Sequence, residues 1–519
     1  MRGGKFEGEE NAKEKRRNVA QTKIMHYIRL KRCSRLEMLI NYEGVFDVFA
    51  ALIGNLNNWL YTYILIVLLI GVGLYFTFKT NFVQFRMFIE SIKVVTEPKE
   101  DEKSISSFEA LMVSTASRVG VGNIAGVSTA ICLGGAGSVF WMWLIALVGS
   151  ASAFIESTLA QIYKVRDTDG SSFGGPAYYI QAVLKNRGLG VLFAVMLILT
   201  YMGGFNMVAA FNIASAFEGY SFYTSNTPLI IGALLAIVTG LCIFGGGKRL
   251  SKITGIIVPV MAISYILVAL VVVVLHINLV PGMFLAIFTE AFDVSAIFGG
   301  FIGSCVMYGI KRGLYSNEAG VGSAPNAAAA ASVSHPVKQG LVQMLSVFID
   351  TLLICSATAF MLLCSGVAPD ASLKGVPFVQ AAVSKTFGNF GVMFVTFALF
   401  CFAFTSILGN FYYAEANLKY LNKKAPSKTM LTIFRAIAVV IVFFGAQLEF
   451  SIAWDTADVL MGFMALINLP IIVILAGPAV KCLQDYTEQK RQGINPVFIA
   501  SSIGLKDQTD FWNEQQNVK

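Results

Sequence analysis

Eleven stretches of this chain stay apolar for about twenty residues each, the length an α-helix needs to cross the hydrocarbon core of a bilayer. They fall at approximately 57–79, 108–133, 137–163, 189–217, 227–243, 252–276, 295–315, 338–366, 389–418, 430–449 and 455–480. In lipid every backbone N–H and C=O must find a partner, which leaves helices as the way such runs can span. Composition agrees, because only 13% of the 519 residues are charged and 56% are hydrophobic, whereas a soluble domain carries about 25% charge. The sequence therefore predicts an all-α membrane protein with eleven transmembrane helices. A shorter apolar stretch, 42–56, reads as amphipathic and interfacial. The chain divides accordingly into a basic tail with that segment (1–56), a transmembrane domain (57–480) and a C-terminal tail (481–519). Cys132, Cys242, Cys305, Cys355, Cys364 and Cys401 lie inside apolar runs and read as small buried hydrophobes, not bridges or metal ligands.

The net charge of +8 does not point to nucleic acid, because no basic strand interleaved with aromatics and no recognition-helix pattern occurs. The cations sit in alternate loops instead. Five Lys/Arg fall at 79–107, four at 164–188, three at 244–252, three at 311–338 and four at 419–428, against none at 134–136, 218–226, 277–294 and 450–454 and two at 367–388. Basic loops face the cytoplasm. The expected protein is a multi-pass plasma-membrane protein with a cytoplasmic C-terminus and an extracellular start to its first span. The first 37 residues, with eleven Lys/Arg and five Glu, run against that rule. Either they are a targeting extension, or the downstream spans override them, or translation starts at Met38; the last is the preferred reading.

Two spans are interrupted. The second carries Gly120, Gly122 and Gly126 with Arg118 and Asn123 beside them, and the seventh carries Gly299, Gly300 and Gly303. Glycine in a helix interior costs about 1 kcal/mol against alanine. Elsewhere, as at Gly71 and Gly73, it reads as small-residue helix packing. A Gly-X-Gly-Asn beside a formal charge does something else, because it frees backbone groups that lipid cannot satisfy. Such backbone is tolerated where it lines a cavity or binds a ligand, with N–H groups for an anion and carbonyls for a cation. The two interrupted spans open five-span blocks of opposite orientation, 108–276 and 295–480. This is the pattern of two five-helix inverted repeats with broken first helices, plus one extra N-terminal helix.

At this level of detail the chain resembles the alanine or glycine:cation symporter family, sodium-coupled amino-acid carriers with a leucine-transporter-type fold. The matching stretches are FVQFR (82–86), ASRVGVGNIAGVSTAI (116–131), SFGGPAYYI (172–180), GGGKRL (245–250) and RGLYSNEAGVGSAPNAAAA (312–330). HPVKQGLVQMLSVFIDTLLICSATA (335–359), SILGNFYYAE (406–415) and ADVLMGF (457–463) complete the match. The resemblance implies symport of a small neutral amino acid with Na⁺ as coupling ion and no other cofactor. It implies a sodium site formed by the carbonyls of Ala116 and Val119 and the hydroxyls of Thr405 and Ser406, an oxygen set that suits a hard cation. The two hydroxyls could instead bond back to their own helix. The substrate carboxylate is expected at the amides of Gly120, Val121 and Gly122, near Asn123. Its ammonium is expected at freed carbonyls around Gly300 and Gly303.

Arg118 is read either as the partner of the substrate carboxylate or as a gate residue paired with Glu156 or Glu415. Glu156, Asp350 and Glu415 are ionisable groups inside spans, where charge is costly and seldom idle. The stretch 316–325 (SNEAGVGSAP) reads as an intracellular hinge or gate, His335 as a helix N-terminal residue, and the pair Asp455 and Asp458 as dipole compensation at an external helix start. Enzyme readings fail: there is no HExxH, and GGGKRL lacks the Ser/Thr of a phosphate loop. Two rival functions remain, a proton-coupled permease using Glu415 or Asp350, and a channel. Finally, Ala209 and Asn410 stand where the family commonly has Gln and Trp facing the substrate. Either the pocket is wider and takes a larger or polar amino acid such as glutamine, or neighbouring Phe and Met side chains refill the space.

Overall fold

Ser106 and Glu109 begin the first interrupted span by capping each other: Glu109 N–H donates to Ser106 Oγ at 3.0 Å, and Ser106 N–H donates to Glu109 Oε2 at 2.7 Å. This reciprocal pair satisfies two orphan donors of the helix start. The helix Ser107–Arg118 then breaks, and the chain resumes as a wide π turn, Gly122–Gly126, running into Val127–Gly134. The two halves are bent by 50°. The computed structural model describes residues 47–98, 104–167, 170–245, 247–293, 305–422 and 426–513. The chain divides into two compact units, Met1–Leu56 and Asn57–Lys519. Described residues 47–56 of the first are helical, and the second holds the site.

Among the described residues, eight helices are long and apolar enough to cross a membrane, or nine with the bent pair taken as one span. The number differs from eleven for visible reasons. Thr227–Ile243 is apolar but only 17 residues long. The seventh span is described only from Cys305; Gly299, Gly300 and Gly303 lie outside the described residues. The described fold is helical apart from a two-stranded antiparallel hairpin, Val165–Arg166 with Ser172–Phe173.

Burial sorts the helices. Gly137–Ile162 and Pro336–Cys364 are largely enclosed, while Gly255–Leu275 and Lys428–Gly445 are mostly exposed and present Ile256, Val260, Ile263, Leu267 and Val440 outward, as lipid-facing helices do. Close approach depends on small residues. A Cβ on Gly309 would stand 2.4 Å from Ser138 O, and one on Gly313 2.6 Å from Ile145 Cγ2. Gly73 packs in the same way, 3.0 Å from Val148, whereas Gly71 meets nothing within 4 Å.

A second break lies at 318–324, between the helices Cys305–Asn317 and Pro325–Ala330. Glu318, Gly320 and Gly322 all take positive φ there, at 53°, 83° and 92°. The stretch read as an intracellular hinge or gate is a buried unwound segment. Lys311 and Arg312, counted above as loop cations, are buried as well. Lys311 Nζ lies 3.0 Å from Asp458 Oδ2 and 3.9 Å from Asp455 Oδ1, and Arg312 Nη2 lies 2.6 Å from Asp458 Oδ2. Asp455 and Asp458 therefore compensate these two cations and are not simply charges at a helix start. Buried cations need such partners.

The C-terminal segment straps one end of the bundle. Phe498 N–H bonds Ser334 O at 2.9 Å, Trp512 Nε1 bonds Gln161 O at 2.7 Å, and Lys164 Nζ lies over the rings of Phe511 and Trp512. His335 caps Pro336–Val347 by accepting Val337 N–H at Nδ1, and its Nε2 meets Asp485 at 3.1 Å.

Candidate functional site

The helix Ser107–Arg118 stops because its next hydrogen bond is diverted. Val119 N–H still reaches Thr115 O at 2.7 Å, but Gly120 N–H goes to the side-chain Oδ1 of Asn123 at 2.8 Å. Val119 leaves helical geometry with ψ 87°. The carbonyl of Ala116, which Gly120 would satisfy in a continuous helix, is released.

Asn123 thus braces the break, next to Gly122 of the cavity wall, with its side-chain oxygen on Gly120 N–H. Its Nδ2 donates to Asp350 Oδ1 at 2.7 Å and to Asp350 O at 3.2 Å. Asp350 Oδ2 accepts from Ser316 Oγ and Thr351 Oγ1, each at 2.7 Å. Asp350 sits in the π turn Phe348–Cys355, a wide turn that often marks functional sites. Asn123, Ser316 and Thr351, the donors to its carboxyl group, are all neutral.

Around the break lies a cavity of about 10 Å³, room for a single water molecule. Ser117, Arg118, Gly120, Val121 and Gly122 line it from the broken helix, with Phe205, Ala209, Tyr315, Ser406 and Asn410 from three others. Of the residues singled out in the sequence, Gly120, Val121, Gly122, Ala209, Asn410, Arg118 and Ser406 are brought together here. The helices meet tightly because glycines allow it. A Cβ on Gly120 would stand 2.1 Å from Ser406 Oγ, and one on Gly409 2.9 Å from Ser117 N. Phe205 and Tyr315, with ring centroids 4.7 Å apart, occupy the flank beside Ala209.

Asn410 links this cavity to the second break. Its Nδ2 donates to Asn206 Oδ1 at 3.0 Å, and its Oδ1 accepts from Ser117 Oγ at 2.8 Å. Ser117 Oγ also lies 3.2 Å from Glu318 Oε1, so one proton serves two acceptors. Glu318 Oε2 accepts from Ser323 Oγ at 2.6 Å. Glu156, from Gly137–Ile162, accepts Gly320 N–H at 3.3 Å and Asn468 Nδ2 at 2.8 Å. Arg118 Nη1 donates to Gln343 O at 3.1 Å, and its charge acts on Glu156, Glu318 and Asp350. Three buried carboxylates thus share the field of one guanidinium.

Glu415 does not join them. It is half-buried and pairs at 3.4 Å with Arg435 on the neighbouring helix Lys428–Gly445, not with Arg118, in this conformation. Thr405 Oγ1 donates to Cys401 O and Phe402 O, and Ser406 Oγ donates to Phe402 O. Both hydroxyls do bond back to their helix, yet a hydroxyl that gives its proton away keeps lone pairs for a cation. Ser117, Phe205, Tyr315 and Glu318 were not singled out from the sequence. For Glu318 a signal existed: two glycines and a proline follow it within seven residues of an otherwise apolar region.

Known proteins resemble the chain over most of its length. Residues 46–500 match the sodium:alanine symporter family. The chain is 46% identical over 472 residues to the amino-acid carrier protein AlsT of Bacillus subtilis (strain 168), spanning 91% of this chain and 99% of that one. It is 43% identical over 468 residues to the probable sodium/glutamine symporter GlnT of the same organism, spanning 90% and 96%. Among solved structures, MhsT in complex with L-phenylalanine superposes with a TM-score of 0.56 at 15% identity, over 74% of this chain and 92% of that one. That likeness is one of fold.

Proposed function

This chain belongs to the sodium:alanine symporter family, and on that premise we propose which of its residues carry the work. It is a sodium-coupled amino-acid symporter and not an enzyme. In our reading the neutral amino acid lies between the two broken helices, its carboxylate toward the backbone of Val121 and Gly122. Gly120 is excluded as a carboxylate donor because its N–H is spent on Asn123. Sodium is assigned to the released carbonyl of Ala116, the neighbouring Val119 carbonyl, and the hydroxyls of Thr405 and Ser406. The observation that carries this assignment is the diversion of Gly120 N–H, which leaves Ala116 O without its helical partner. Asp350 lies one side chain away through Asn123.

The cavity of about 10 Å³ is too small for any amino acid, so transport requires the breaks to flex. We read the conformation as occluded, within a cycle of alternating access between two inverted five-helix blocks, with the C-terminus cytoplasmic. The driving force suffices: one charge falling through 100 mV supplies about 2.3 kcal/mol, and a tenfold sodium gradient adds about 1.4 kcal/mol. Together they sustain roughly 500-fold accumulation.

For the substrate we propose a neutral amino acid with a polar side chain, glutamine before alanine. Asn410 and Ser117 put an amide and a hydroxyl at the cavity wall, bonded here to each other, to Asn206 and to Glu318, and these bonds can be exchanged for a polar side chain when the breaks flex, while Phe205 and Tyr315 fill the flank beside Ala209. Competition uptake into vesicles under an inward sodium gradient decides the matter. The reading fails if alanine and glycine outcompete every larger amino acid and Asn410→Trp leaves that order unchanged. The sodium assignment fails if replacing Thr405 and Ser406 together with Ala leaves sodium dependence intact. Uptake that persists without Na⁺ and follows a pH gradient would favour protons, and absence of counterflow would favour a channel.

A further inference from the structure

A groove of about 790 Å³ in the second unit shares no lining residue with the substrate cavity and lies where two spans leave the apolar layer. Lys79 closes the apolar helix Ile66–Lys79, and Lys481 stands early in Ala476–Arg491, which follows the last span, Phe450–Ile474. The groove runs between these ends, with Arg86 and Arg491 on its walls and Ser502–Gly504 of the C-terminal strap along one rim. Four cations face two acids there, Asp485 and Glu488, a surplus of two positive charges. Both acids are engaged, Asp485 with His335 at 3.1 Å and Glu488 with Arg491 at 3.8 Å. Lys79, Arg86 and Lys481 are exposed and form no ion pair among the described residues.

The surroundings of the groove are apolar. Phe78, Phe82, Phe85, Ile89 and Ile92 are exposed along the chain that carries Lys79 and Arg86, the composition of a segment resting in the membrane interface. Phe85 lines a separate apolar groove of about 480 Å³ with Phe88, Leu147, Phe348 and Leu352. Successive residues on one short helix, Val83–Arg86, therefore serve an apolar groove through Phe85 and a basic groove through Arg86.

We propose that this pair of grooves binds an anionic phospholipid, its phosphate head group between Lys79, Arg86 and Lys481 and an acyl chain against Phe85 and Phe348. The charge surplus recognises the phosphate, and the level at which the spans end places the head group beside lipid. A basic pocket between transmembrane helices is the usual setting for such recognition. Because Ser502–Gly504 forms one wall, the bound head group also holds the C-terminal strap to the bundle.

The test compares retention of phosphatidylglycerol and phosphatidylcholine by native mass spectrometry of the full chain released from mixed micelles. Wild type retains phosphatidylglycerol and loses phosphatidylcholine. Each cation removed weakens a head group by about fivefold, so the triple variant Lys79→Gln, Arg86→Gln, Lys481→Gln releases phosphatidylglycerol at roughly 100-fold lower concentration excess. Lys385→Gln, an exposed lysine outside the groove, serves as the control for bulk charge. Equal retention of the two lipids, unchanged retention by the triple variant, or an equal loss in Lys385→Gln would overturn the proposal. Thermal stabilisation of the protein by inorganic phosphate as strong as that by phosphatidylglycerol would also overturn it, pointing to a free anion. All three substituted positions are exposed, and an unchanged gel-filtration profile confirms that the variant is folded.

Discussion

Gly120 gives its backbone N–H to Asn123 Oδ1 at 2.8 Å, and through that one bond a transmembrane helix is opened at its middle. The side chain does what the next turn of helix would otherwise do. Its cost is a released carbonyl at Ala116, and its anchor is Asp350, held by the same Asn123 at 2.7 Å. Sequence, local backbone and the site are joined at this point.

Asn123→Ala should therefore act on sodium more than on folding. Without Oδ1, Gly120 N–H is free to return to Ala116 O, closing the oxygen that we assign to the cation. The expected outcome is a sodium half-saturation raised more than tenfold, with surface expression changed by less than about twofold. Uptake measured against sodium concentration checks it, and an unchanged sodium curve would remove Asn123 from the account.

Gly120→Ala tests packing at the same point. Its Cβ would stand 2.1 Å from Ser406 Oγ and 3.2 Å from Ser406 Cβ, so the hydroxyl is the main obstacle. Gly120→Ala should abolish most uptake, and adding Ser406→Ala should restore packing without restoring sodium dependence. A thermal melt separates the two: overpacking costs about 1–3 kcal/mol, and the double variant should regain most of it.

Asp458→Asn should be among the most destabilising single changes in the chain. It removes the charge that meets both Lys311 and Arg312, at 3.0 and 2.6 Å, and leaves the two cations to Asp455 at the rim. Breaking a buried pair costs about 3–5 kcal/mol. The check is the melting temperature in detergent, compared with Asp167→Asn, whose partner Lys419 is a more exposed surface pair.

Acid should loosen the C-terminal strap. Burial lowers the pKa of His335 from its usual 6.5, outweighing the opposing pull of Asp485. Burial alone would raise Asp485, but bonds from His335 and Gln489 bring it below its usual 3.8. Both groups bind protons more readily in the unfolded chain, so their stabilising contribution is complete at high pH and is lost as pH falls. The His335 contribution begins to fade below pH 6.5, and that of Asp485 below 3.8. Hydrogen exchange of residues 494–513 should quicken from about pH 7 to about pH 5 after correction for intrinsic rates. His335→Asn, which offers an amide oxygen in place of the capping Nδ1, should flatten that dependence.

The long apolar runs, the alternation of basic loops and the Gly-X-Gly-Asn beside Arg118 were enough to read an all-helical membrane carrier with one span broken at 119–122. These features are local: a run of twenty apolar residues or a glycine pair states its own requirement without reference to the rest of the chain. The residues 312–330 were also conspicuous, yet their place was misread, because Lys311, Arg312 and Glu318 look like loop charges until their partners are known. Those partners, Asp455, Asp458 and Ser117, lie more than 140 positions away. Charge inside a membrane is tolerated only by neutralisation from another helix, and no local pattern announces which helix that will be. The same holds for Asn123 and Glu415, both polar residues in apolar spans. Packing turned one toward Asp350 to hold the break open and the other toward Arg435, away from it. Helix existence was decided by burial energy along the chain, and the role of each buried charge by which distant side chain the fold brought within hydrogen-bond reach.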